Sequence, residues 1–573
     1  NNTPEHYDNA TFKPSFQQPG REGMWNPNGT GAFRLVDCRV TRVCYADGTS
    51  TDDPRVDPAV GWRIADAELP VAANIVDLDP QQQMVSQIWA LVVRLVNGTT
   101  NVFTGPFAVT SFTDMWDRTK PGPGGIPAGA VYQSVIGPVI WGNTSASRFL
   151  SELNPPRTVR QLLSIKFNVD GYNMDPSSPA FTFGRIVGTI GPANENEPRH
   201  LTIGRQLFAA KTGRLTCVVD AANRRITADF GNVLETQRPG GPLADAGDLT
   251  LGWLDKGDAF NPIGAVAYRQ PGWYESTAGV QAFALSQPQL QAITSARIAL
   301  RGTVLQENLD GLYARADTFT YRLYPGETAS VTIYATRYGV LQDGMPIVVF
   351  ADPGGLGGAE DKPPAVAKPA NAISGFNPNT PIIAKNGIAT LNITAADPGN
   401  PRRYIDGQVY GVRYLPRAIF DDRTAPGVFV HEPDFISLRV WNAFEVPAQP
   451  TWFGHIQPIL TQYGNLYPVM KKFVDLTDYD SIVKNKAFMI ARLSLLQNLP
   501  GSMPVTRDLS PPKRKAILQW LNNPVKGTPP PRAERTAEVL IAAAAPAEEG
   551  VPAGVTGLAA EKIGLDADDF ETK

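Results

Sequence analysis

The stretch Ile382-Ile383-Ala384-Lys385-Asn386-Gly387-Ile388-Ala389-Thr390-Leu391-Asn392-Ile393 carries the sharpest local signal in the chain. Asn-Gly tolerates the positive φ angles at both central positions of a type I′ turn. Placed between two apolar runs, it predicts a two-residue β-hairpin. Working outward, Thr318–Leu323, Ala329–Ala335 and Pro346–Ala351 are strand-sized runs set apart by Pro325-Gly326 and Asp343-Gly344. Arg403–Tyr414 and Phe429–Val440 supply further strands. From 318 to 446 the expectation is one or two small β-sandwiches, interrupted by a loop or linker over Asp352–Asn371, which is rich in Pro, Gly and Ala.

Composition agrees with that reading over the whole length. The 573 residues suggest material for three to five domains. With 42% hydrophobic and 19% charged residues, a disordered or fibrous chain is excluded. The 52 glycines and 51 prolines follow no collagen-like period, so they punctuate many short strands. A net charge of −3 gives no electrostatic footprint for nucleic acid or an anionic membrane. The longest apolar runs, Ile88–Val93 and Val539–Ala545, fall far short of the roughly 20 residues of a membrane span. Four histidines and three cysteines exclude a zinc array, a disulfide scaffold and multihaem attachment. Cys38 and Cys44 could bridge or stay reduced. Six sequons, at Asn1, Asn9, Asn28, Asn97, Asn143 and Asn392, are close to chance, so a cytoplasmic location is the expectation, with secretion left open.

The expected fold is mainly β: several β-sandwich or barrel-like modules with a small C-terminal helical module. Residues 1–300 read as β-rich, with an internal boundary near 212, and 301–450 as the sandwich region. Helical spacing marks 451–525, and 526–573 is a low-complexity tail rich in Pro, Ala and Glu. Asp79-Pro80-Gln81-Gln82 has the form of a helix N-cap, although the following Val85–Val96 reads equally as a buried strand. Arg214–Asp220 and Arg225–Phe230 form a hairpin, and Ser286 caps a short helix over Gln289–Leu300. Gln457–Phe473, Ser481–Leu499 and Pro511–Leu521 are the helices of the C-terminal module, with Ser510 as a cap.

Chemistry-bearing patterns are sparse. Glu197-Pro198-Arg199-His200 matches Glu-x-x-His, but Pro198 and the loop-like surroundings spoil it as a helical metal motif; His200 is still the best metal or haem candidate. His431 and His455 read as packed or hydrogen-bonded side chains. Asp77 and Asp79 could share a strand face. Gly354–Gly358 lacks the Lys-Ser/Thr of a phosphate-binding loop, and no Gly-x-Ser-x-Gly elbow occurs. Cys217 sits inside a predicted strand.

The run Tyr463–Met470, the segment Met503-Pro504-Val505-Thr506-Arg507-Asp508-Leu509-Ser510 and the helix Pro511–Leu521 resemble the violacein-pathway imine dimer synthases and the related chromopyrrolate synthases. Looser matches at Asn173–Gly191, Gly204–Leu207 and Asp245–Leu254 extend the resemblance over roughly 25–525. It implies oxidative coupling of two aromatic imino acids and a possible non-covalent haem. It also implies a ferritin-like helical domain beyond the matched region. No carboxylate four-helix bundle is legible here, so a separate ferritin-like partner chain and a homo-oligomer are the corresponding expectations. Arginine binds carboxylates bidentately, which makes Arg205 and Arg507 the substrate candidates. The rival expectation, of a different class, is a non-catalytic structural or interaction protein on the same β scaffold.

Overall fold

A computed structural model describes residues 32–67, 71–79, 82–120, 125–155, 160–173, 178–352, 372–402, 405–425, 427–466 and 468–529. The glycine-rich 354–358 loop, most of the 352–371 linker and nearly all of the 526–573 tail lie outside these residues. The chain is mainly β, 37% strand against 15% helix, in several sheets with a helical C-terminal module. Among the described residues no helix is long and apolar enough to cross a membrane.

At the Asn-Gly turn, φ is 51° at Asn386 and 77° at Gly387. Lys385 and Ile388 exchange both backbone hydrogen bonds, at 2.8 and 3.0 Å. The two flanking strands then part. Ile382–Ile383 pairs with Pro346 and Ile347, whereas Ile388–Ala395 pairs with Thr328–Arg337 in the opposite sheet. The turn is therefore a corner joining the two sheets of a sandwich. One sheet runs Leu312–Ala316, Thr328–Arg337, Ile388–Ala395, Ile373–Ser374; the other runs Thr320–Leu323, Phe435–Val440, Gln408–Pro416, Pro346–Ala351, Ile382–Ile383. Burial alternates along Ile388–Ala395, because one face meets the core and the other meets water. Gln408–Pro416 and Phe435–Val440 are buried at every position. Their inner face holds Tyr410, Val412, Ile436 and Leu438, and on the outer side Val409 and Phe435 pack with Leu78 and Val85 of the N-terminal module.

That N-terminal module, 32–200, contains three larger antiparallel sheets and a two-stranded one, Val43–Cys44 with Ser50–Thr51, around one apolar core. Asp79 is the end of a strand, Ala73–Asp79, that turns directly into Gln82–Trp89; it caps no helix. The apolar run splits into Gln82–Trp89 and Val92–Asn97, with Ala90 at φ 63° between them. Next comes an eight-stranded sheet over 205–307, which is nearly a closed barrel. It begins ahead of the expected boundary at 212. Its two edge strands, Phe260–Ala265 and Val280–Ala284, are stitched by a side chain: Gln281 accepts from Ala267 N and donates to Ala265 O, both at 2.9 Å. Leu215–Asp220 and Arg225–Asp229 form the expected hairpin. Ser286 and Gln289 form a reciprocal cap, but the helix ends at Ile293, and Arg297–Arg301 is a barrel strand. The helical module has Gln457–Leu466, Tyr479–Lys484, Lys486–Leu493 and Pro511–Asn522 as its α-helices, packed on Trp452 and Trp520. Ser510 precedes Pro511 at the start of the last helix, yet its hydroxyl makes no capping bond.

Fully buried charge joins the modules. Asp79, 0% exposed, receives Arg402 at 2.8 Å and Arg439 at 2.9 Å, both also 0% exposed. Asp79→Ala removes the carboxylate that two buried guanidinium groups share. Breaking such a pair from one side costs about 3–5 kcal/mol. Urea unfolding of the variant is expected to show a loss of that size; a loss below about 1 kcal/mol would mean that the arginines are satisfied without Asp79.

Candidate functional site

A large cavity lies in the N-terminal module, between the sheet of Ala73–Asp79 and Gln82–Trp89 and the sheet of Ala128–Ile136 and Leu163–Asp170. Its volume is about 1050 Å³. Phe33, Ile75, Phe112, Met115, Ala130 and Tyr132 give it apolar walls. Its charged groups are Arg34, Arg39 and Arg185 together with Asp37, Asp77, Asp170 and Glu275, and Ser86 adds a hydroxyl. The two carboxylates of the Asp77-Leu78-Asp79 run serve different places. A register shift between Asp77 and Asp79 separates them, so Asp77 accepts from the Ser86 hydroxyl beside the cavity while Asp79 goes to the module junction. Burial, reinforced by the Asp77 charge, pushes the Tyr132 phenol well above its ordinary pKa and keeps it protonated.

Asp170 anchors one end of the cavity. Arg118 reaches it at 2.6 Å and Arg185 at 2.8 and 2.9 Å, and both guanidinium groups sit over the Tyr274 ring, 5.2 and 5.0 Å from its centroid. This fixes Arg185 on the cavity wall with 18% of its side chain exposed. Arg34 pairs with Asp66 at 3.3 Å. Arg39 is exposed and donates to Gly61 O at 3.4 Å. The cavity thus combines aromatic walls with both guanidinium and carboxylate groups at its edge, of which Arg39 is the exposed cation, a surface suited to a flat molecule with a polar end.

A second constellation lies where the three β-modules meet. Asp114 comes from the N-terminal module, Arg214 and Asn232 from the barrel, and Tyr313, Arg315, His431 and Asp434 from the sandwich. Asp114 Oδ2 accepts from the Arg214 backbone N–H at 2.7 Å and from Asn232 Nδ2 at 2.6 Å. His431 stands between two carboxylates, 3.2 Å from Asp114 and 3.4 Å from Asp434. Arg214 donates to Tyr313 Oη at 2.6 Å and to Asp434 at 3.1 Å, and Arg315 also contacts Asp434. Burial lowers the His431 pKa despite Asp114 beside it. The imidazolium, Arg214 and the Arg214 N–H outweigh burial for Asp114 and hold it at about 2. The adjoining space, about 20 Å³, has room for a water molecule and no substrate. Sequence reasoning left His431 as a packed histidine and missed the cluster. Its members span 320 positions, from Asp114 to Asp434, and the short spacings among them, such as His431 to Asp434, match no catalytic motif by themselves.

The three sequence candidates lie apart. Arg205 donates from Nε to Glu307 at 2.6 Å, with Nη2 on the same carboxylate, and to the carbonyls of Ile293 and Ala296 at 2.7 and 2.5 Å, closing the barrel onto the end of its helix. Arg507 donates to the carbonyls of Gln497, Ser502, Pro504 and Val505. Its pKa falls to about 10 because it is buried, with Arg514 nearby. His200 is 6% exposed, with its ring 3.5 Å from Asp317, whose carboxylate also accepts the His200 N–H at 2.8 Å. No group of three or more His, Cys, Asp and Glu suited to a metal occurs among the described residues. Nor does any described histidine line the large cavity: His431 is enclosed by carboxylates, and His455 is turned to Thr451 at 3.1 Å. The described histidines therefore do not fit a haem bound there. Cys38, Cys44 and Cys217 are free thiols, so the first two do not bridge.

No protein-family model matches the chain, and no curated protein does. Among solved structures it is similar to domains 4 and 5 of the S-layer protein SbsC, at 12% identity over 41% of this chain and 84% of that one, with a TM-score of 0.14. It is also similar to a Salmonella alpha-2-macroglobulin mutant, at 11% identity over 73% of this chain and 25% of that one, with a TM-score of 0.13. Superpositions that loose carry no argument about fold or function.

The pH response of the three-module junction follows from its signs. A histidine whose folded pKa is depressed takes up its proton first in the unfolded chain. Stability is then full above the unfolded value, about 6.5, and falls as pH drops below it towards the folded value. Asp114 acts lower, between its ordinary value of about 3.9 and about 2. Urea midpoints measured from pH 7.5 to 5 are expected to fall in the native chain. In His431→Asn the fall is expected to be shallower; an unchanged slope would remove His431 as its source.

Proposed function

We propose that the N-terminal cavity binds aromatic α-imino acids and that the chain takes part in their oxidative coupling, as the resemblance to imine dimer synthases implies. The cavity carries this reading. Its volume of about 1050 Å³ lies just above the usual range for small-molecule sites, roughly 300–1,000 Å³. That leaves room for two ring systems. Phe33, Phe112 and Tyr132 suit aromatic faces, and the exposed Arg39 suits a carboxylate, whereas Arg185 is held by Asp170 and the Gly241 carbonyl. Arg205 and Arg507 contribute indirectly, by holding the barrel and a helical-module loop.

A second reading is supported by the internal commitments of Arg205, Arg507 and His200. In that reading the chain is a non-catalytic scaffold that binds or presents a ligand or partner.

Titration of the full chain with indole-3-pyruvate, followed by calorimetry, tests the binding. Saturable binding is expected, and Ala130→Trp, which grows into the cavity, is expected to weaken it at least tenfold without lowering the melting temperature. Binding that ignores Ala130→Trp overturns the site. Coupling is tested separately with indole-3-pyruvate, ammonia and hydrogen peroxide. Joining two imino acids by a carbon–carbon bond releases two electrons and two protons, which reduce one peroxide to two waters. A dimer detected by mass spectrometry supports the enzyme; binding without a dimer favours the scaffold.

A further inference from the structure

We propose that the helical module holds a second site, independent of the N-terminal cavity, for a small aryl carboxylate: the ring seats among Met470, Met489 and Met503, and the carboxylate is received by Arg492. The pocket has a volume of about 90 Å³ and an almost wholly apolar lining that includes Leu460, Leu493 and Ile517. An enclosed apolar cavity of on the order of 150 Å³ takes benzene. At about 90 Å³ this pocket is smaller than that, but its mouth is open, so it takes one six-membered ring with the substituent, and the ring edge that bears it, projecting outward. Three of the chain's eight methionines line it. Thioethers adapt to an entering ring and make favourable sulfur–aromatic contacts.

The cation at the mouth is what selects an acid. Arg492 lines the pocket, and its guanidinium lies 5.5 Å from the centroid of the Phe488 ring, which is itself 39% exposed. Among the described residues no carboxylate or carbonyl is bonded to that guanidinium. The contrast with Arg118, Arg185, Arg205, Arg402, Arg439 and Arg507 is plain, since each of those is bonded to carboxylates or carbonyls. Room for the Arg492 head group is built into the backbone. Gly501 has φ 78°, and a Cβ there would collide with Arg492 Nη1.

The opposite wall is rigid before any ligand arrives. Met503, Pro504, Val505 and Thr506 form it, and Arg507 ties that loop through bonds to Gln497, Ser502, Pro504 and Val505 of 2.7–3.1 Å. The Met503 N–H also donates to Arg492 O at 3.2 Å, coupling the loop to the helix that carries the cation. Preorganisation of this kind lowers the ordering cost of binding. Arg507 is thus a positioning residue for the pocket.

The full chain labelled with [13C-methyl]methionine, titrated with phenylacetate, tests the site. The methyl signals of Met470, Met489 and Met503, assigned by single Met→Leu substitutions, are expected to shift saturably, with Met115 in the N-terminal cavity as the internal control. The uncharged analogue 2-phenylethanol is expected to bind about tenfold more weakly, and Arg492→Gln to erase that preference. Met489→Trp, which fills the pocket, is expected to abolish the shifts while the remaining methyl signals keep their dispersion. Shifts confined to Met115, equal affinity for the alcohol, or an Arg492→Gln variant that retains the acid preference would each overturn the proposal. None of these outcomes depends on indole-3-pyruvate binding in the N-terminal cavity.

Discussion

The Asp79 carboxylate and the two guanidinium groups that share it fix how the N-terminal module and the sandwich meet. All three side chains are 0% exposed, so each has lost its water and is compensated by the others and by nearby carbonyls. Arg402 also donates to Gly407 O, and Arg439 to Asp406 O, both at 2.8 Å. Asp406 in turn receives Lys513 of the last helix at 3.0 Å, which brings the helical module into the same network. Burial pulls Arg439 down, and Asp79, helped by Asp508 and Asp406, more than restores it, so its pKa ends above the ordinary value. Arg322, which lies close by and donates to Gln87, lacks such a carboxylate; burial and the Arg439 charge lower it to about 9. Asp79 is thus the carboxylate that both junction arginines share, and apolar packing of Leu78, Val85, Val409 and Phe435 completes the joint.

This kind of joint explains why the sandwich departs from an alternating pattern. A sheet with one wet face shows buried and exposed residues in turn, as Ile388–Ala395 does. Gln408–Pro416 and Phe435–Val440 show no exposed position, because their second face is covered by the N-terminal module. Arginines on those strands are consequently inside the protein. Arg413 and Arg439 sit there as the polar half of an interface whose other half is carboxylate and carbonyl. Ionic joints of this sort demand particular partners and geometry, so they define the relative placement of the modules more narrowly than apolar contact alone.

What was legible in the sequence was local. Asn386-Gly387 has the two small, turn-tolerant residues that a type I′ geometry requires, and the backbone takes it. Ser286 and Gln289 similarly carry a reciprocal cap in their spacing. The extent of that helix was not legible, since Ile298 and Leu300 fit a helical period as well as a barrel strand, and only pairing with Thr250–Leu254 decides between them. Asp79 misled for the same reason: Asp-Pro-Gln-Gln has the chemistry of a cap, but the tertiary pull of Arg402 and Arg439, more than 300 positions away, claims the carboxylate. The divergence of Ile382–Ile383 from Ile388–Ala395 into separate sheets is also a tertiary outcome. The cavity and the His431 cluster belong to this class, being assembled from residues whose spacing along the chain carries no period.

Arginine shows how far residue type alone can lead. Arg205 and Arg507 stood out because guanidinium binds carboxylate, and that chemistry is indifferent to whether the oxygen belongs to a ligand or to the chain itself. In Arg205 the partner is Glu307, and in Arg507 it is a set of four backbone carbonyls. A residue whose donors are consumed in this way has little to offer a ligand directly, yet it decides the shape of the surface beside it. Arg492 is the converse. Its neighbours are an aromatic ring and a glycine, neither of which neutralises it, and its helix is held by the loop that Arg507 organises. The two arginines thus play complementary parts in one pocket. The buried one stiffens the wall, and the partly exposed one keeps its charge available at the mouth.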